Sequence, residues 1–246
     1  MSNSSLTDNR ARDFGGGIRV GVTATVSNST LKGNTAGSGG GIFALNVTVS
    51  NSTLSSNSAG SNGGGINTGT VMVNNSTLSG NSAGTLGGGI AAGTAAVSNS
   101  TLSGNSAGSS GGGGIGANTA TVSNSIISGN STSASGNREC NTGVAAASFN
   151  LFGFNNDEGG CPTTGSNIVP SEDVNQILDS LADNGGFIPG APGSTVTIQT
   201  QSLPAGSPAI NAGDPNFKTP PDFDQRGSGF PRIVNTTVDI GAFEVQ

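Results

Sequence analysis

A short repeat occupies the first half of the chain and constrains its fold more than any other feature. The motif Gly-Gly-Gly-Ile occurs five times, and its isoleucines are Ile18, Ile42, Ile66, Ile90 and Ile115, an almost constant spacing. A second motif, VxNSTLxxN or a close variant, follows each copy. A fixed period of this kind indicates repeats that stack and bury their apolar faces against one another. Disordered low-complexity sequence would not keep Ile, Val and Leu in register.

The residues of the repeat favour strands and turns over helices. Gly, Ser, Thr and Asn dominate each unit, and each unit has one Leu where leucine-rich repeats need several. Ala24 and Val26 alternate with Thr and Ser, which is the period of a strand. Shorter strands are expected at Gly-Ile-x-x-x before this stretch and at Thr-Leu-x-x-Asn after it. The sequence therefore predicts an all-β, right-handed parallel β-helix with three short strands in each coil.

Equivalent residues of successive coils are expected to stack as ladders about 4.8 Å apart. The apolar core ladders are predicted to be Ile18, Ile42, Ile66, Ile90 and Ile115; Val26, Val49, Val73, Val97 and Val122; and Leu31, Leu54, Leu78, Leu102 and Ile127. Two asparagine ladders are predicted to satisfy turns and rungs by stacked hydrogen bonds. They are Asn28, Asn51, Asn75, Asn99 and Asn124, and Asn34, Asn57, Asn81, Asn105 and Asn130.

Charged residues divide the chain into two regions. Residues 1–32 hold two acids and four bases, residues 33–137 hold no charge, and residues 138–246 hold twelve acids and four bases. Stacked like charges would repel, so an uncharged repeat suits the ladders. We predict parallel β-helix repeats over 1–137, with five full coils and a leading partial one. Residues 138–246 are predicted to form irregular terminal coils and a C-terminal cap that closes the end of the stack, with a helical turn in 174–182 and strands at 195–199 and 236–243.

The composition also excludes several classes of function. The chain has no His, so it holds no His base, no Ser-His-Asp triad and no His-ligated metal. It lacks Trp and Tyr, the usual stacking platforms for nucleic-acid bases. Its net charge of −6 disfavours a nucleic-acid partner. No long unbroken apolar run occurs, so no transmembrane segment is expected.

Several phrases of the chain resemble known bacterial proteins. VSNSTLSGNSAG and GGGI are similar to the polymorphic outer-membrane-protein type repeats of bacterial right-handed parallel β-helix surface proteins. The C-terminal phrases LADNGG, LPAGSPAINAGD, DQRG and VDIGAFE resemble the end of choice-of-anchor Q domain proteins. The resemblance implies a non-catalytic secreted or cell-surface protein, an adhesin-like structural stalk without a known active site. Its implied partner is an extracellular surface, matrix or glycan that stays unidentified.

Proteins of this kind often carry a signal peptide and an anchor. Residues 1–20 contain no apolar segment typical of a signal peptide, and the repeat begins at the third strand of a coil. We therefore expect a fragment in which Met1 is not the native start. An open first coil would expose backbone edges, so end-to-end stacking through it is also expected.

Cys140 and Cys161 bracket a loop rich in Gly and Asn just after the repeat. Their spacing suggests a disulfide that staples the last coils, which fits an oxidising compartment. The alternative is a pair of buried free thiols.

The acids of the C-terminal region allow three interpretations. Asp214, Asp222 and Asp224 form a weak oxygen-rich candidate for Ca²⁺, the one cofactor weighed. Asp222 and Asp224 are also a candidate acid and base for a glycosidase. The favoured interpretation is structural: Arg226 or Arg232 pairs with Asp224 or Asp239 to hold the cap together.

Two alternatives to a structural or adhesive role stay open. One is a polysaccharide lyase or hydrolase on the β-helix scaffold, for which the only charges on the repeat wall lie in the first coil, at Asp8, Arg10, Arg12, Asp13 and Arg19. The other is an ice-binding protein that uses a regular outward row. That row is predicted to be Thr25, Thr48, Met72, Ala96 and Thr121, and it is broken in the middle. The N-x-S/T triplets of the repeat are expected to serve as ladder residues.

Overall fold

A computed structural model describes residues 1–109, 111–133, 136–137, 139–141, 144–187, 197–234 and 236–246. The chain folds as a parallel β-solenoid, which confirms the predicted all-β fold class and the constant period of the coils. Successive coils contribute strands to three sheets, and neighbouring strands are parallel except at the last pair of the third sheet. We number coils 1–5 by the isoleucine of each Gly-Gly-Gly-Ile motif.

The three sheets differ in strand length. Sheet 1 contains β2 (Ile18–Arg19), β3 (Thr23–Ser27), β6 (Ile42–Ser50), β9 (Ile66–Asn74), β12 (Ile90–Ser98), β15 (Ile115–Ser123) and β19 (Val144–Ser148). Sheet 2 contains β1 (Ser5–Thr7), β4 (Thr30–Lys32), β7 (Thr53–Ser55), β10 (Thr77–Ser79), β13 (Thr101–Ser103), β16 (Ile126–Ser128) and β20 (Leu151–Phe152). Sheet 3 contains β5 (Thr35–Ala36), β8 (Ser58–Ala59), β11 (Ser82–Ala83), β14 (Ser106–Ala107), β17 (Ser131–Thr132) and β18 (Gly136–Asn137).

The division of each coil into strands differs from the prediction. In coils 2–5 the two predicted strands before and through the alternating stretch form one long strand. The register continues on both sides of one unpaired position: Ala44 pairs with Thr68 and Asn46 pairs with Thr70, with Leu45 between them. Each of these strands therefore continues through one unpaired position. The short Ser-Ala strand of sheet 3 was not predicted as a separate element.

The apolar ladders stack as the repeat predicts. Ile42 pairs with Ile66, Val49 with Val73, and the leucines continue through Ile127 to Phe152 at the end of the stack. These side chains are fully buried, apart from Ile18 in coil 1, which is half-buried. Burying each one stabilises the fold by about 1.5–3 kcal/mol. Small coils thus form a continuous core without Trp or Tyr.

The glycine triplet makes the corner between sheets 3 and 1. Gly39 has φ of +63°, which L side chains rarely adopt. A Cβ on Gly40 would lie 2.5 Å from the carbonyl oxygens of Gly64 and Ser58. The corner therefore brings backbone from three places into contact, and only glycine fits there.

The solenoid continues beyond residue 137. Strands β19 and β20 add a coil next to β15 and β16, and a bridge from Leu151 to Ile168 adds part of another rung. A short helix, α1 (Val174–Ile177), lies within the segment where a helical turn was predicted. Ile177 and Leu178 then join a second hydrophobic cluster with Leu151.

The end of the chain lies along the flank of the solenoid. We call residues 197–234 and 236–246 the strap. The hydroxyls of Thr30, Thr53 and Thr77 donate to Thr197 O, Gln199 O and Gln225 Oε1, while Ala242 N–H donates to the hydroxyl of Thr101. These threonines belong to sheet 2 and are buried. This segment of the predicted cap therefore lies along sheet 2, where its polar groups pair with the threonine row.

The predicted strand at 236–243 is also wrong. Its described residues form no strand, because their backbone groups pair with side chains and solenoid corners. Gly241 N–H donates to Asn124 O, and Asp239 N–H donates to the Glu244 carboxylate. The predicted strand at 195–199 lies partly outside the described residues, and residues 197–199 form no strand.

Candidate functional site

The ladder that begins at Asn34 is a buried, unbroken chain of amide hydrogen bonds. Nδ2 and the backbone N–H of Asn57 both donate to Oδ1 of Asn81, at 2.9 and 3.0 Å. The same Nδ2 also donates to Leu31 O at 3.0 Å. The contact to the next asparagine repeats along Asn34, Asn57, Asn81, Asn105 and Asn130, all fully buried. Every amide is therefore satisfied, which offsets the cost of burying it.

This ladder ends on a carboxylate that the sequence analysis did not single out. Nδ2 and N–H of Asn130 donate to Glu139 Oε2 at 2.5 and 3.0 Å, and Gly129 N–H donates to Oε1 at 2.9 Å. Glu139 is fully buried. Burial raises the pKa of Glu139 to about 8, against the opposing effect of these hydrogen bonds. The sequence signal that could have identified Glu139 is its position as the first acid after the charge-free stretch.

The other asparagine row serves mainly as corners. Asn28, Asn51, Asn75, Asn99 and Asn124 all have φ between 47° and 50°. Asn is among the few residues that tolerate this left-handed conformation. Nδ2 of Asn75 donates to Asn51 and Nδ2 of Asn124 donates to Asn99, but Nδ2 of Asn99 donates to Asn74. The side-chain ladder predicted here is therefore interrupted between Asn75 and Asn99.

A serine ladder lies between the two asparagine rows and was missed. The backbone N–H of Ser52 donates to Ser76 Oγ at 3.1 Å, and Ser52 Oγ donates to Ser50 O at 2.7 Å. Equivalent contacts link Ser29, Ser52, Ser76, Ser100 and Ser125, all fully buried. The Asn-Ser-Thr-Leu phrase thus encodes a corner, a buried ladder residue, a contact to the strap and a core residue in that order.

Cys140 and Cys161 form a disulfide, as predicted, with an Sγ–Sγ distance of 2.01 Å. Cys140 also forms a parallel β-bridge with Ile115 of coil 5, so the disulfide ties the loop that follows Cys140 to the core. Both cysteines are buried.

The predicted ion pair between Asp224 and Arg226 is present and buried. Nε and Nη2 of Arg226 donate to Asp224 Oδ2 at 2.9 and 2.6 Å. The guanidinium lies between the rings of Phe230 and Phe243, 3.9 and 3.8 Å from their centroids. Asp224 also accepts the N–H of Glu244. This arrangement locks two parts of the strap together.

Arg232 and Asp239 do not pair through their side chains. Nη2 of Arg232 donates to the backbone carbonyls of Asp239 and Gly241, at 3.1 and 2.5 Å. The Asp239 carboxylate accepts N–H groups from Asn211 and Val245 instead. Burial raises the pKa of Asp239. Arg232 therefore anchors backbone, and the predicted pair with Asp239 is not formed.

The three calcium candidates bond to different partners. Asp214 Oδ1 accepts the N–H of Asn216, and the Asp224 carboxylate accepts hydrogen bonds from Arg226. The backbone carbonyl of Asp222 accepts the N–H of Arg232. Within the described ranges, no three His, Cys, Asp or Glu residues are grouped so as to hold a metal ion.

Sheet 1 presents the broadest face that the strap leaves open. Its outward positions include two adjacent rows in register. The rows are Thr23, Asn46, Thr70, Thr94 and Thr119, and Thr25, Thr48, Met72, Ala96 and Thr121. The first row was not singled out from the sequence, although the same period marks it. The charges of coil 1, at Asp8, Arg10, Arg12, Asp13 and Arg19, are exposed and spread over different elements of that coil.

Comparison of the chain with protein-family models, with curated proteins and with solved structures gives no significant match. In the part of the chain that the structure describes, no helix is long and apolar enough to cross a membrane. The fold thus defines the class, a parallel β-solenoid protein with a flanking strap.

Proposed function

We propose that this protein is a non-catalytic rod of a secreted or cell-surface protein, and that the outer face of sheet 1 is its adhesive binding surface. One observation carries the proposal: the strap covers sheet 2, while the widest sheet stays open and repeats similar side chains in every coil. A regular, stiff face of this kind suits a display surface, as in other solenoids.

The contacts of the strap support a structural assignment of its charges. Asp224, which would act with Asp222 in a glycosidase, is 1% exposed and paired with Arg226. A general acid or base must reach its substrate, so this pair favours a structural role over catalysis. The buried disulfide supports an oxidising compartment, as for a secreted protein.

The test is adhesion of the immobilised protein to cells and to extracellular matrix. Thr94→Lys places a charge within the open face of sheet 1, at an exposed position, and we expect it to reduce binding. The matched control is Ser106→Lys on sheet 3, which should bind as the parent does. Equal binding by the two variants, or turnover of a polysaccharide that Asp222→Ala or Asp13→Ala abolishes, would contradict the proposal.

The same face supports ice binding as a second candidate. Four of five positions in the row from Thr23 to Thr119 are Thr, and Thr25, Thr48 and Thr121 stand beside them. Such rows repeat about every 4.8 Å, a spacing that can order water. Inhibition of ice recrystallisation by the parent protein, lost in Thr94→Lys and kept in Ser106→Lys, would favour this candidate over adhesion.

A further inference from the structure

One outward row of sheet 1 changes character along the rod. In register, it runs through Arg19, Phe43, Asn67, Ala91 and Gly116. We call this row, with the residues that flank it, the trough. It lies directly after the glycine corner, and its side chains are larger in coils 1–3 than in coils 4 and 5, where the residues are Ala and Gly.

The protein fills its own trough at coil 5. Leu86, in the corner segment before coil 4, lies over Gly116, and a Cβ on that glycine would be 2.6 Å from Leu86 Cδ1. Ala91 in the same row is buried. An aliphatic side chain from an irregular peptide segment is therefore the occupant that this groove accepts within the molecule itself.

In coils 1–3 the same trough is only partly filled. Phe14, the equivalent of Leu86 in coil 1, packs on Phe43 of coil 2, with the ring centroids 4.5 Å apart. The rest of the trough in these coils is open. A cleft of about 370 Å³ lies there, with Val20, Phe43 and Leu45 among its lining residues. Leu45 is 58% exposed and Val20 is 37% exposed. The equivalents of Leu86 in coils 2 and 3 are Ser38 and Asn62, which are too short and polar to replace its apolar contact. Exposed apolar residues gathered at a cleft mark a binding surface.

Arg19 gives this open part a charge preference. Its guanidinium carbon lies 5.2 Å from the centroid of the Phe14 ring, and that ring is 4.5 Å from the Phe43 ring. Arg19 makes no ion pair with any residue in the described part of the chain. A guanidinium supported by an aromatic ring keeps its planar donors available for a carboxylate.

We propose that the trough over coils 1–3 binds a peptide segment of a partner protein that carries an aliphatic side chain next to Asp or Glu. The aliphatic group packs on Leu45 and on the part of Phe43 that Phe14 leaves free, and the acidic side chain pairs with Arg19. This inference names the partner class for the open face of sheet 1, and so rests on the proposed function.

The probe is a set of short synthetic peptides in which Leu is adjacent to Asp, with Ala/Asp and Leu/Asn versions as peptide controls. We expect the Leu/Asp peptides to bind the full chain, and Arg19→Gln and Phe43→Ser each to weaken binding by about tenfold. The matched protein controls are Lys32→Gln, which removes an exposed cation from sheet 2 of the same coil, and Met72→Ser, which removes an exposed apolar side chain outside the trough. Both should bind within about twofold of the parent.

Several results would overturn the inference. They are no peptide binding at about 1 mM, equal binding by the Leu/Asn peptides, an equal loss in Lys32→Gln, and binding of a carboxylated polysaccharide alone. Circular dichroism and thermal unfolding of each variant separate lost binding from lost folding. If the parent adheres to cells but binds no peptide, this inference fails alone. If it binds the peptides through Arg19 but adheres to nothing, the proposed function fails alone.

Discussion

At the scale of the residue, each position of the repeat has one physical task. Asn34 and its equivalents extend an internal amide ladder, while Asn28 and its equivalents adopt a left-handed corner. The two sets are chemically identical, and their backbone conformation decides which task each performs. Phe149 takes a corner conformation, with φ of 53°, in the coil after the repeat.

Asn81 is the central test of the amide ladder. In Asn81→Ala, the N–H and Nδ2 of Asn57 lose their common acceptor while they stay buried. We expect the free energy of unfolding to fall by about 3 kcal/mol, since buried donors without partners are costly. Urea unfolding at equilibrium measures it.

The matched control is Asn118→Ala, at an exposed position of sheet 1. It should change stability by less than about 0.5 kcal/mol. A similar effect of the two substitutions would show that the ladder adds nothing to stability.

Residues that repeat were predictable, and residues that occur once were not. A constant period identifies the partner of Ile42 or Asn57 from the sequence alone, because equivalent positions must stack. Glu139 and Gln225 have no equivalents, so no period reveals that one ends a ladder and the other joins two threonines of sheet 2. The Asp224–Arg226 pair was predictable because its members are neighbours in sequence.

At the scale of the element, the strap depends on a few specific contacts. Sheet 2 has very short strands, and its threonine row needs polar partners from the strap. Alternation in the sequence at 236–243 suggested a strand, but the backbone groups of this segment bond to side chains and to solenoid corners, and they do not pair with a neighbouring strand.

Arg226 is the element-scale test. Arg226→Lys keeps the charge but loses the two-pronged contact with Asp224 and the stacking between Phe230 and Phe243. We expect a loss of more than about 2 kcal/mol in stability, because the remaining carboxylate stays buried. Limited proteolysis should then cut the strap before the repeats.

Lys218→Arg, at an exposed site on the strap, is the control and should behave as the parent does. Unchanged stability in Arg226→Lys would show that the contact between Arg226 and Asp224 does not hold the strap together.

At the scale of the whole molecule, buried carboxylates, among them Glu139, Asp239 and Glu244, make stability depend on pH. Burial raises the pKa of Glu139 to about 8 and that of Glu244 to about 7. Near pH 6 the folded chain therefore holds protons that the unfolded chain has released. Stability from these groups is fully present below about pH 4.5 and is lost as pH rises towards 8.

We accordingly expect a higher Tm at pH 5 than at pH 8.5. Glu139→Gln, which keeps the shape and an acceptor for Asn130, should flatten this profile and raise Tm at pH 8.5. Thermal unfolding followed by circular dichroism across that range gives the answer. A variant with the same slope as the parent would exclude Glu139 as a source of the dependence.

The strap also imposes an order on folding. The contact from Thr30 to Thr197 spans 167 residues, and that from Ser52 to Gln225 spans 173. Contacts so distant in sequence form slowly, because closing a long loop costs chain entropy before any contact forms. Each coil stacks on a neighbour that lies one repeat away in sequence, so the rod can assemble first and the strap can dock only on a finished surface. Synthesis from the N-terminus follows the same order, because the strap is made after the coils that it covers, and its docking therefore reports that every coil beneath it has formed.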